Sequence, residues 1–178
     1  MKAVIFTEDS STTSDSHDTD LLEYYKGSFL SAKPVYVELS DICDPNMYVA
    51  SNKFGIANVE TKARQALYES SQLSHEELVD IINERVLIEA ADSEVIVLLF
   101  SSIIFESAIM PDWDKIVNQA KEGSVWCICA PQSLLSELDL SKLEQKCQLI
   151  IYERVGVSRI TNSTRDELID TIKNTSID

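Results

Sequence analysis

The six-residue run "VIVLLF" at 95–100 limits what this chain can fold into more than any other feature. It is continuous, β-branched at its start, and far shorter than the ~20 apolar residues that span a bilayer. A strand with one wet face alternates apolar and polar residues, whereas a strand covered on both faces does not. Such a strand belongs in a parallel sheet sandwiched between helices. Four more segments read as strands: "KAVIFT" at 2–7, "MYVAS" at 47–51, "SVWCICA" at 124–130 and "CQLIIYE" at 147–153.

Helical patterns separate them. Ser74 and Glu77 fit a capping box that opens a helix over 75–90, with Leu78, Ile81, Ile82, Val86 and Ala90 as its apolar stripe. Thr164 and Glu167 fit another over 164–173. Residues 60–71 and 103–122 are also helical, the second stretch broken near Pro111, with Asp112 capping its later piece and Gly123 closing it. This alternation predicts an α/β fold: a three-layer sandwich around a mostly parallel sheet of about five strands. The 178 residues form one domain, long enough to build its own core. The polar stretch "EDSSTTSDSHDTD" at 8–20 reads as a solvated, flexible loop.

Charge narrows the partners. Thirty acids against fifteen bases give a net −15. Such a surface repels bare phosphate backbones, so direct coating of nucleic acid is disfavoured, while a local basic pocket remains possible. An acidic surface of this kind suits a high-salt, halophilic cytoplasm, where screening shrinks to about 3 Å at 1 M. The short apolar N-terminal segment lacks the form of a signal peptide and predicts a cytoplasmic protein with no membrane partner.

Cys43, Cys127, Cys129 and Cys147 form no CxxC pair and read as buried free thiols. His17 and His75 have no metal-ligand spacing and read as surface residues; neither a metal nor a cofactor is expected. The chain has four glycines and neither a GxGxxG nor a GxxxxGK[ST] loop, so a phosphate cradle of that kind is excluded.

Open α/β sheets bind ligands at the carboxyl ends of their strands. Those ends carry Thr7, Glu8, Asp9, Ser10 and Ser11, then Ser51, Asn52, Lys53 and Phe54, then Ser101 and Ser102, then Pro131 and Gln132. Hydroxyls, carboxylates, an amide, a lysine and an aromatic make a polar pocket, although strand ends face water in any such protein.

Three segments resemble, in order, a family of small α/β proteins. "YYKGSFLSAKPVYVEL" (24–39) is similar to its Y-x-G-S-x-F-x-K-A segment, "VASNKFGI" (49–56) to its "LSAKYGL", and "LLFSSIIF" (98–105) to its "GGxxY" strand end. The family's fold is similar to uracil-DNA-glycosylase-like domains. Related domains accompany archaeosine and deazaguanine enzymes, and the YaaA peroxide-stress group is a more distant likeness. The resemblance spans residues 1–110 and retains Lys53. It departs where the family has "CSxxK" and this chain has "FTEDSSTT", and where Ser101, Ser102 and Phe105 replace the Gly-Gly and Tyr. Without its Gly pair, a backbone cannot approach a ligand as closely. The resemblance therefore implies the family's fold with lost or altered chemistry.

Two functions follow as expectations. The first is a nucleobase- or nucleoside-binding protein, associated with nucleic-acid modification, that is either an enzyme or a degenerate one. Asp9 would be its catalytic acid/base, and Ser10, Ser51, Ser101 and Ser102 its hydrogen-bonding partners. Lys53 would meet an anion and Phe54 would stack on a base. Alternatively, Phe54 and Ile56 merely pack the turn at Gly55, which itself takes a positive φ. The second is a non-catalytic acidic interaction or regulatory module that recruits a basic protein partner. Ser102 as a nucleophile lacks an identifiable base.

Overall fold

A computed structural model describes residues 1–68, 72–154 and 159–175. Six strands form one sheet: β1 (Lys2–Glu8), β2 (Asp44–Ser51), β3 (Gly55–Asn58), β4 (Val95–Leu98), β5 (Val125–Ala130) and β6 (Gln148–Glu153), in the order β3-β2-β1-β4-β5-β6. All neighbours pair in parallel except β2 and β3, which pair antiparallel. The α/β sandwich expected from the sequence is therefore present, with six strands instead of five. The added strand is "GIAN", four residues with a glycine and an asparagine, a segment with little strand propensity of its own. It forms because the turn after Ser51 folds it back on β2, with Ala50 opposite Ile56.

The lack of alternation in the strands has the expected cause. Ala3, Ile5, Met47, Val49, Val97 and Cys127 face one apolar core; Val4, Phe6, Ala50, Ile96, Leu98 and Trp126 face another. The first core is covered by α1 (Leu21–Tyr24), a 3-10 turn at Gly27–Ser31, α2 (Lys33–Leu39) and α9 (Asn162–Thr175). The second lies under α4 (His75–Asp92), α6 (Trp113–Gln119), α7 (Gln132–Leu135) and α8 (Ser141–Glu144). Between β3 and α4 lies the short α3 (Ala63–Leu67).

Helix α4 starts as its sequence predicts: the Ser74 hydroxyl accepts from the Glu77 N–H at 3.1 Å. Leu78, Ile82, Val86 and Ala90, spaced by four, are buried, each large side chain contributing about 1.5–3 kcal/mol. Ile81 belongs to the predicted stripe, yet it is exposed beside β3. After β4, a short α5 (Ser102–Ile104) continues as a π-turn at Phe105–Ile109 and a 3-10 turn at Met110–Asp112 into α6. Asp112 makes no capping bond; its carboxylate instead pairs with Lys115 at 3.7 Å. The last helix begins before Thr164, because Thr161 Oγ1 accepts from the Thr164 N–H.

Residues 8–20 are fastened at several points. Asp9 N–H donates to Ala50 O, Ser14 N–H to Tyr24 O, Lys26 N–H to Thr12 O and Ala63 N–H to Thr19 O. Two isolated bridges, Thr13–Tyr25 and Asp20–Lys62, hold the same segment. Among the described residues, no helix is long and apolar enough to cross a membrane.

Candidate functional site

The chain leaves β1 for β2 on one side and returns through β4 on the other, so strand order reverses between β1 and β4. The crevice expected at such a switch point is filled here. The Glu8 carboxylate accepts from both the N–H and the hydroxyl of Ser101, the latter at 3.0 Å. Ser101 also caps α5 through Ile104 N–H. Behind this bridge lies the buried guanidinium of Arg159. It donates to Thr7 Oγ1 at 2.5 Å, to Glu8 O at 2.9 Å and to Asp9 O at 3.3 Å. Burial pulls this guanidinium below its ordinary range, while the nearby Glu8 charge opposes the shift. Arg154 closes the far side, donating to Phe100 O at 3.0 Å and Ser102 Oγ at 2.8 Å.

The open space lies one strand over, at the carboxyl ends of β1 and β2. A cavity of about 310 Å³ is lined by Glu8, Asp9, Ser51, Asn52, Gln72 and His75, with Ala50, Leu73 and Leu78 as its apolar wall. The Ser51 hydroxyl orients the Asp9 carboxylate, donating to Asp9 Oδ2 at 2.6 Å, with the buried Tyr25 phenol close by. Burial, then the Asp9 charge, pushes the Tyr25 phenol well above its usual range. Ser51 Oγ also accepts from Lys53 N–H, which fixes the turn beside the cavity. His75 sits at the start of α4 with Nε2 3.1 Å from Ser107 Oγ.

Of the residues singled out in the sequence, Asp9 and Ser51 share this cavity. Ser10 belongs to the adjoining loop, its hydroxyl accepting from Thr12 N–H near Gly27. Ser101 and Ser102 are engaged by Glu8 and Arg154. The exposed Lys53 lines a neighbouring cavity of about 380 Å³ with His17, Tyr24, Leu67 and Gln72. Phe54 lines a third space with Ile81 and Arg85, on the α4 side of the turn. Gly55 has the expected positive φ, +82°.

The sequence reading put Glu8 among the strand-end residues of the pocket without giving it a role, and missed Tyr25, Arg154 and Arg159 as members of this network. Arg154 follows directly on the end of β6, so continuing the list of strand ends to the last strand finds it. Tyr25 and Arg159 lie in a helix cap and near a helix start, where no local signal points to the sheet.

The four cysteines are free, three of them buried and Cys43 half-buried. Burial pushes the Cys43 thiol up to about 11, and the neighbouring Cys127 raises Cys129. Neither is a poised nucleophile, since the thiolate is the reactive form. Among the described residues, no group of three or more His, Cys, Asp or Glu is placed to hold a metal ion. Compared with known proteins, the chain matches no family model and no curated sequence.

Proposed function

We propose that the cavity at the ends of β1 and β2 binds a nucleobase or nucleoside. The observation that carries this reading is the chemistry of the lining. Two carboxylates, which only accept hydrogen bonds when ionised, stand with a serine and two carboxamides against an apolar wall. A planar ring presenting N–H groups on its edge satisfies both parts. The volume, about 310 Å³, sits at the small end of ligand pockets. The motif resemblance to nucleobase-handling domains supports the same class. Asp9, held by Ser51, is the acceptor for a ring or exocyclic N–H. Leu73 and Leu78 take the flanking role assigned to Phe54 in the sequence. Acceptor-rich walls favour amino-bearing bases over uracil. The site is read as a binding site because the hydroxyls around it are already engaged: Ser51 donates to Asp9, Ser102 accepts from Arg154, and Ser107, beside His75, donates to Ile103 O.

The test is a thermal-shift screen of nucleobases, nucleosides and deazaguanines against wild type, Asp9→Asn and Ser51→Ala. A ligand at 100 times its dissociation constant adds about 2.7 kcal/mol. At about 2–4 °C per kcal/mol for a chain of this size, that is a rise of about 5–11 °C. Loss of the shift in both variants supports the reading. A shift that survives both, or none in wild type, overturns it.

One observation favours the second reading, an acidic interaction module. β3 is an edge strand, and a groove of about 280 Å³ runs between it and α4, lined by Phe54, Ile56, Ile81 and Ile88. Glu84 and Arg85 also line the groove, and Glu76, Glu77 and Asp80 are exposed elsewhere on α4, so the net charge of this face favours an extended basic segment with apolar anchors. A labelled peptide alternating lysine and valine should bind with strong salt dependence and lose affinity to Ile88→Asp. Equal binding to both proteins removes this reading.

A further inference from the structure

The cavity beside the proposed base site is unlike it in charge. It contains Lys53, His17 and Tyr24, and among the described residues no carboxylate lines it. The two cavities meet at Gln72, which lines both, and at the chain step from Asn52 to Lys53. They are therefore two compartments of one crevice: one rich in acceptors, the other holding a cation and two ring side chains that carry donors.

Acids outnumber bases by two to one, and Lys2, Lys33, Arg64, Lys121 and Lys142 each pair with a carboxylate. Lys53, like the exposed Lys62 and Lys173, makes no ion pair among the described residues, and of these three it is the one that lines a cavity described above. Asp18 and Glu23, each next in sequence to a lining residue, are already engaged, by Arg64 at 2.7 Å and by Lys33 at 2.6 Å. His17 Nε2 lies 3.3 Å from the Tyr24 hydroxyl, so both side chains are held at the cavity wall. A lysine with no ion pair among the described residues, on a cavity whose described lining holds no carboxylate, suits an anion.

We infer that the second cavity is an anion subsite of the same crevice, and that the ligand is a nucleoside phosphate: its base lies against Asp9 and Ser51, its phosphate against Lys53 and His17. This inference rests on the base-site reading above and adds the phosphate to it. Lys53 supplies a point charge and Tyr24 a hydroxyl donor; no glycine-rich loop is needed, because the contact is made by side chains.

The experiment measures dissociation constants for four matched pairs, adenosine, guanosine, cytidine and uridine with their 5′-monophosphates, by calorimetry at 0.15 M KCl. Inorganic phosphate alone is a further arm. Wild type is compared with Lys53→Met, which keeps the apolar stem at an exposed position and removes the charge, and with His17→Gln. Wild type should bind the preferred monophosphate at least about tenfold tighter than its nucleoside, a ratio within the reach of one ion pair out of bulk water. Lys53→Met should bring that ratio close to one while nucleoside affinity stays unchanged. In 1 M KCl the ratio should also collapse, because screening then acts over about 3 Å. A nucleoside that binds with a ratio of one in wild type overturns the anion subsite and leaves the base site standing. A ratio that persists in Lys53→Met overturns the role of Lys53. Binding of inorganic phosphate alone at the affinity of the monophosphate, with no nucleoside binding, overturns the joint ligand. No binding of any nucleoside or monophosphate overturns both readings.

Discussion

Replacing Ser101 by alanine should cost this protein about 2–3 kcal/mol, and the sum can be built from three bonds. Ser101 N–H donates to Glu8 Oε2 and survives the change, because it belongs to the main chain. Ser101 Oγ donates to Glu8 Oε1 at 3.0 Å and is lost. The same oxygen accepts from Ile104 N–H at 3.4 Å and is lost too. A hydrogen bond to a charged group nets about 1.5–3 kcal/mol. Removing an N-cap costs about 1 kcal/mol, and the long distance here places this cap at the low end. Since one hydroxyl serves both bonds, the losses overlap and do not add in full. For a chain of this size the melting temperature should fall by about 5–10 °C. Urea denaturation of wild type, Ser101→Ala, Glu8→Gln and the double variant measures the cost, with an unchanged slope confirming that only stability moved. The double-variant cycle should return a coupling of at least about 1 kcal/mol. A Ser101→Ala cost under about 0.5 kcal/mol, or fully additive effects, would mean that Glu8 does not bridge β1 to β4, and the account of the closed crevice fails.

Gly55→Ala forces a side chain into φ +82° and brings its Cβ to 3.3 Å from Ile81 Cδ1, whereas Gly123→Ala at φ +78° meets nothing within 4 Å. Both should lose about 1–2 kcal/mol in urea unfolding, Gly55→Ala by a few tenths more; a neutral Gly55→Ala refutes the strained turn. The Glu94 carboxyl is held below its ordinary value by the Lys121 ammonium at 2.5 Å and then by the Lys2 N–H. A carboxylate whose folded pKa is depressed contributes stability above its unfolded pKa, near 4.3, and loses it as pH falls through the lower folded value. Urea midpoints taken from pH 6 to pH 3 should therefore fall less steeply for Glu94→Gln; identical slopes refute the linkage. If the net −15 is a high-salt adaptation, melting temperature should climb steeply from low to molar KCl, and a flat response refutes it.

Local pattern was enough to place the five parallel strands and α4, because each is written in contiguous residues. A strand buried on both faces shows an unbroken apolar run, and Ser74 caps its helix three residues ahead of Glu77. Positive φ at Gly55 was legible for the same reason, since the requirement is set by one turn. β3 was not legible: four residues of weak propensity become a strand only because β2 stands beside them. Site membership followed the same division. Asp9 and Ser51 lie at the ends of adjacent strands and meet across 42 positions of sequence, so listing strand ends finds both. Arg159 reaches Thr7 from 152 positions away, and nothing near either residue encodes that contact. By itself the sequence determined the five parallel strands, α4 and the polar residues that stand at the strand ends. Only the tertiary structure decided that Glu8 and Ser101 fill the switch point and leave the cavity beside it. Strand order and side-chain reach govern that choice, and both arise when the chain is packed.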